Sequence, residues 1–166
     1  MPVITAGQGV AQAFTTTLTN AQILATPTTT GIQLVAAPGS GHTLIPLAVL
    51  LAKSFTAGAY TNIDPTAKLF VGYGPATPTA SYAATNTVGL IDEAGFTFFG
   101  AADFETFNMP TGAIEDGNGG GGVFPPSGAD LRNLALTICS TNGALGNFTG
   151  GNAANTLAVT VVYAVA

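Results

Sequence analysis

From Thr156 to Val165 the chain reads TLAVTVVYAV, setting Leu157, Val159, Val161, Tyr163 and Val165 against Thr156, Ala158, Thr160, Val162 and Ala164. Side chains of an extended strand point alternately to opposite faces, so this spacing builds one bulky apolar face and one lighter face. A helix, turning every 3.6 residues, would scatter the large residues around its axis. Leu134, Leu136 and Ile138 alternate with Ala135, Thr137 and Cys139 in the same way. Between the two segments lies TNGALGNFTGGNAAN, whose Asn and Gly residues favour turns and mark a connecting loop.

Further strands are expected at residues 32–36, 43–54 and 68–73, with shorter ones at 96–99 and 105–109. Helical signals are confined to two short stretches. Thr19 is placed to cap a turn over residues 20–24 that stops before Pro27, and residues 87–94 form a second candidate ending at Gly95. Many strands with turn residues between them, and no long helical pattern, predict an all-β fold. The expected form is an antiparallel β-sandwich of jelly-roll type with only short helical turns. No linker divides the chain, so residues 18–166 are expected to form one domain behind an extended N-terminal arm, residues 1–17. A Gly/Pro-rich insertion is expected at about 76–130. Within it EDGNGGGGVFPPSG, residues 115–128, is either a mobile surface loop or a loop packed on another subunit.

Composition narrows the function. Only 7% of the 166 residues are charged while 47% are hydrophobic and 22 are Gly, so the surface is built mainly from Thr, Asn, Ser, Gly and Ala. So little charge removes much of the repulsion that keeps chains apart and suits burial in a larger assembly. The net charge is −5, and Lys53, Lys68 and Arg132 are the only cations. Three scattered positive groups cannot supply the phosphate contacts that a duplex binder needs, nor draw the chain to an anionic membrane. Neither nucleic acid nor membrane is an expected partner. Residues 44–52 form the longest apolar run and contain Pro46, far short of the roughly 20 residues of a membrane-spanning helix. Cys139 is the single cysteine, so no internal disulfide can form. MPVITAGQGV has neither a basic start nor a long apolar centre, and no secretory signal is expected there.

The stretch that looks most like chemistry is AAPGSGHT, residues 36–43. A phosphate-gripping loop of the form G-x-x-x-x-G-K-[ST] would need Gly at position 36 and Lys at position 42, where Ala36 and His42 stand. Pro38 also removes one N–H from the cradle, and Pro46 interrupts the helix that should follow. The stretch reads as a Pro-Gly turn between two strands, with its histidine in solvent. His42 is the only histidine and, with Cys139, gives at most two zinc ligands where three or four are usual. No G-x-S-x-G elbow frames a serine. The acid pairs Asp92-Glu93, Asp103 with Glu105, and Glu115-Asp116 have the residue types of a glycosidase, but the chain has no Trp for a sugar platform and these read as solvated loop acids. The DGNG beginning at Asp116 opens like a calcium loop, yet Gly120 and Ser127 occupy later ligand positions. Asn147-Phe148-Thr149 is a formal glycosylation site without a secretory context. No enzyme activity, cofactor or metal is expected.

The layout itself resembles a known family. A strand-forming N-terminal arm leads to TNAQILATP, then GIQLVAAPGSGHTLIPLAVLL, SFTAGAYTN, KLFVGYG, LRNLALTICS, a glycine-asparagine loop and TLAVTVVYAVA. Outside about residues 76–130 this resembles the jelly-roll cement or decoration proteins of tailed-bacteriophage heads. The resemblance implies a homotrimer on the capsid exterior, at threefold or quasi-threefold positions between major capsid proteins, made in the host cytoplasm. It implies no activated residue, since complementarity and symmetry carry the work. The natural capsid-contacting residues are then Pro2, Val3, Ile4, Thr5, Gln8, Val10, Gln12 and Phe14 of the uncharged arm, which could add to a neighbour's sheet edge. The alternative is the receptor- or glycan-binding head of a tail fibre, although no repetitive shaft precedes it.

Overall fold

In the computed structural model, which describes residues 10–27, 31–65, 67–74, 89–94, 103–108, 132–142 and 145–166, alternation becomes strand pairing almost wherever it occurs. β1 (Gln12–Thr19) is followed by α1 (Asn20–Ala25), β2 (Ile32–Val35), β3 (Leu44–Ser54) and β4 (Tyr60–Thr61). Then come β5 (Lys68–Gly74), β6 (Gly89–Ala94), β7 (Phe104–Asn108), β8 (Ala135–Thr141), β9 (Thr149–Gly150) and β10 (Thr156–Val165). All pairings are antiparallel. One sheet has the order β1-β10-β3-β7, a second the order β2-β8-β5-β6, and β4 pairs with β9 apart from both.

β10 is the spine of the first sheet. It pairs with β1 from Gln12↔Tyr163 to Thr19↔Thr156, and with β3 from Thr156↔Ser54 to Val165↔Leu44. The second register shifts between Val162 and Tyr163, which leaves Leu47 unpaired as a bulge. The heavy face of β10 points inward: Leu157, Val159 and Val161 are buried with Leu18 of β1 and Val49 and Leu51 of β3. The second sheet meets them with Leu34, Leu69, Val71, Leu136 and Ile138, and all belong to one apolar cluster. Each such side chain contributes about 1.5–3 kcal/mol on burial. Tyr73 is fully buried among them, and its hydroxyl donates to the Leu44 carbonyl at 2.6 Å, tying one sheet to the other.

α1 starts where the sequence places it. The Thr19 hydroxyl accepts from the Gln22 N–H at 3.4 Å while the Gln22 side chain accepts from the Thr19 N–H at 3.0 Å, a capping box. Ile23 anchors the helix in the core.

Three expectations need correction. Residues 87–94 were expected to be helical, but Gly89–Ala94 is strand β6, paired with β5 from Lys68↔Ala94 to Gly72↔Gly89. So short a helix gains little, and a ladder beside Val71 outweighs local propensity. The region 76–130 is not wholly an insertion, because β6 and β7 are edge strands of the two sheets. The arm does not stand apart up to residue 17: from Gln12 onward it is β1, drawn into the sheet by the alternation that buries Leu18. The strand expected at 96–99 and the glycine loop at 115–128 lie outside the described residues.

The loops gather at two ends of the sheets. At one, the α1 end, asparagines hold the connections. Asn142 is buried; its Oδ1 accepts from the Asp64 N–H at 2.8 Å, and its Nδ2 donates to the carbonyls of Asn62 at 2.8 Å and Gly146 at 2.7 Å. Asn155, also buried, accepts from Thr56 N–H at 2.8 Å and donates to the Ala57 carbonyl at 3.1 Å. Asn62 sits at φ 58, a region that Asn tolerates better than most residues, and donates to the Leu145 and Asn147 carbonyls. These side chains satisfy backbone groups that have no ladder partner there.

Candidate functional site

At the opposite end lies AAPGSGHT, and its geometry is that of a corner. The His42 N–H donates to the Gly39 carbonyl at 3.2 Å, and Gly41, the third residue of that turn, has φ 82. This is the arrangement of a type II turn, which requires a residue with positive φ at that place. The turn is pinned on both sides. Asn133 accepts from the Gly39 N–H through Oδ1 at 3.0 Å and donates its own N–H to the His42 carbonyl at 2.7 Å. Thr43 and Ala166 exchange backbone bonds at 2.8 and 3.0 Å. No phosphate-binding helix follows, since Leu44–Ser54 is strand β3. His42 itself is half-buried rather than riding free in solvent.

Around this corner the side chains are unusually apolar. Among the described residues the exposed large hydrophobics are Val10, Phe14, Ile45, Leu47 and Leu145. Ile45 and Leu47 lie at the turn end of the first sheet and Val10 precedes β1 on that side, while Phe14 lies nearer the middle, opposite Val161, which pairs with Val49. Val10 is 59% and Phe14 52% exposed, values typical of polar surface residues. Phe14 shares the face of β1 that buries Leu18, and Ile45 faces the other way from buried Leu44, so the apolar surface wraps the sheet's end. Gln12 is half-buried and accepts a bond from the Tyr163 hydroxyl at 3.3 Å. Of the expected contact residues, Val10, Gln12 and Phe14 are thus brought together; Pro2, Val3, Ile4, Thr5 and Gln8 lie outside the described residues. Ile45 and Leu47 were not among the expected contact residues; the bulge in β3 turns them outward, whereas the alternation of Val49, Leu51 and Lys53 continued unbroken would point them inward.

Charge is placed in the other half. Lys53, Lys68, Asp92, Glu93 and Glu105 lie on the halves of their strands toward the α1 end, with Asp64 and Asp103 in adjoining loops. Arg132, just before β8, is the one charged residue of the described chain at the turn end.

No group of three or more His, Cys, Asp or Glu able to hold a metal occurs among the described residues. Asp103 is exposed and uses Oδ1 to accept from the Phe55 N–H at 2.7 Å, a loop-fastening role. Cys139 is buried. Lys53 is buried with its ammonium 5.7 Å from the centre of the Phe55 ring; burial lowers its pKa, and the charge of Asp103 partly restores it.

That lysine gives a pH signature. Its folded pKa lies below the unfolded value of 10.5, so between the two the unfolded chain binds more protons and stability rises with pH. Burial raises Tyr60 and Tyr73 above 10.0, so above that pH the unfolded chain loses protons that the fold keeps, and stability falls. Urea midpoints measured from neutral to alkaline pH should therefore rise and then drop. Lys53→Met should flatten the rise and leave the drop; an unchanged rise would show that Lys53 is not its source.

Comparison with protein-family models, with curated proteins and with solved structures finds no match.

Proposed function

We propose that the chain is a structural subunit of a tailed-phage head, a jelly-roll cement or decoration protein bound to the outer surface of the major capsid lattice. The observation that carries this reading is the first sheet's turn half: exposed Val10, Phe14, Ile45 and Leu47, with Arg132 the one charged residue at that end among the described residues. Exposed apolar groups concentrated where charge is depleted favour a protein partner. The strand order supports the jelly-roll part. Leaving aside β4 and β9, the strands pair as nested hairpins, β1 with β10, β2 with β8, β3 with β7 and β5 with β6, as expected of two Greek keys wound into two sheets. Residues 1–9, uncharged and leading into Val10, belong to the same contact. On a capsid such a subunit works by mass action, because whatever binds only the closed shell stabilises it. The trimeric state implied by the sequence resemblance belongs to this reading.

Rebinding to heads stripped of the protein tests it. Wild-type chain should saturate the heads and raise their melting temperature. Val10→Asp with Leu47→Asp should weaken rebinding about a hundredfold, the scale of two modest anchor residues, with the chain's own melting little changed. Removal of residues 1–9 should act in the same direction. Full rebinding by both variants, or attachment to host cells instead of heads, would refute the proposal.

A further inference from the structure

Asn118-Gly119 and Asn142-Gly143 are the places where the sequence sets a glycine directly after an asparagine. Such a step carries its own chemistry. The glycine's backbone nitrogen, after giving its proton to a base, attacks the asparagine Cγ. The Cγ–Nδ2 bond breaks, ammonia leaves and a cyclic imide closes. Water then adds across either C–N bond of the imide, giving aspartate or isoaspartate. Nothing is oxidised or reduced, and the co-reactant is water. Glycine favours the attack because it has no Cβ to crowd its nitrogen or restrict the backbone. Asn118-Gly119 lies outside the described residues, whereas the Asn142 side chain is placed in detail.

We infer that Asn142-Gly143 is a self-modification site that the native fold holds shut and that opening of the α1 end releases. Asn142 follows directly on β8 and is 3% exposed. Its Nδ2, the group that must leave, donates to the carbonyls of Asn62 at 2.8 Å and Gly146 at 2.7 Å, which uses both of its hydrogens. Its Oδ1 accepts from the Asp64 N–H at 2.8 Å. The main chain is tied as well, since the Asn142 carbonyl accepts from the Leu145 N–H at 3.0 Å. Ring closure carries Cγ to the next nitrogen and expels Nδ2, so the bonds that hold the side chain must first be given up. Burial also keeps out the base and the water that the reaction requires. With three side-chain bonds to open, the closed site should react about a hundredfold more slowly than the unfolded chain.

The product fits the closed site badly. Aspartate sets a carboxylate against the carbonyls of Asn62 and Gly146, and isoaspartate inserts Cβ into the main chain at the end of β8. Each opening that lets the ring close is thus recorded as a permanent loss of stability, and a chain that has opened once opens more readily again. The inference depends neither on the capsid reading nor on the number of chains in the assembly.

Peptide mass mapping tests it on the whole chain held at mildly alkaline pH, in native buffer and in guanidinium chloride. Conversion adds water and removes ammonia, and mapping assigns that mass change to position 142 or 118 separately. Asn142 should convert in the denaturant and stay intact in native buffer over the same period. An Asn118→Gln chain, which keeps only the Asn142-Gly143 step, should behave alike. Once the denaturant is removed, the converted chain should refold with a lower urea midpoint, the fall growing with conversion at 142. Asn142→Gln, whose longer side chain closes such a ring far more slowly, should hold its own starting midpoint through the same treatment. Should that variant fail to fold, Gly143→Ala, which slows the attack, carries the comparison. Conversion at 142 as fast in native buffer as in denaturant overturns the inference. So does an Asn142 that stays intact in denaturant, or a converted chain that keeps the wild-type midpoint. None of these results bears on rebinding to heads, so the two proposals fail separately.

Discussion

Asn142→Ala should cost about 3 kcal/mol, a drop of roughly 10 °C in melting temperature for a chain of this size. The side chain is 3% exposed and makes three hydrogen bonds, all to backbone groups: the Asp64 N–H and the carbonyls of Asn62 and Gly146. Each bond is worth only about 1 kcal/mol net, but its loss leaves a shielded backbone group without its partner. The three groups belong to segments flanking β4, β5 and β9, so one substitution loosens several connections at once. Asn142→Asp separates hydrogen bonding from shape. It keeps the acceptor for Asp64 N–H but turns two donated bonds into carboxylate-carbonyl contacts, so it should be no better than Ala. Equal stability of wild type and Asn142→Asp, measured by urea unfolding, would show that the donated bonds contribute little.

Gly150→Ala should be damaging for a different reason, by about 2–4 kcal/mol. Gly150 has φ 79, and a Cβ there would run into the carbonyl oxygen of Ala59. Its neighbours are as constrained: a Cβ on Gly58 would lie 2.9 Å from the Gly151 carbonyl oxygen, and one on Gly151 2.7 Å from Cε1 of Tyr60. The small β4–β9 ladder therefore exists only where two backbones approach without side chains between them. Gly39→Ala and Gly41→Ala are the controls. Both have positive φ, 102 and 82, but a Cβ at either meets nothing within 4 Å. They should cost about 1–2 kcal/mol, the backbone term alone. If Gly150→Ala proved no worse than Gly41→Ala, the close approach would carry no energetic weight.

Most of the strand framework was legible because alternation in β3, β8 and β10 is enforced by a core on one side. α1 was legible from local signals instead, the cap at Thr19 and the stop before Pro27. β6 was misread since its six residues, GLIDEA, hold no alternation of their own and become a strand only beside β5. Residues 12–17 were read as part of the arm for the same reason: of the inner face of β1, only Leu18 is deeply buried. Strand order was beyond reach, since pairing β1 with β10 joins residues at opposite ends of the chain. The candidate surface was half legible. Val10 and Phe14 stand out in an uncharged segment, whereas Ile45 and Leu47 are exposed by a bulge that pairing creates.

The central claim is that this chain serves by covering a capsid, and imaging decides it most directly. Heads incubated with purified protein, compared with bare heads by cryo-electron microscopy, should show added density at regular outer-surface positions of the lattice, with the Val10 end of the first sheet against the shell. Heads that gain no density, or protein found only at the tail tip, would contradict it.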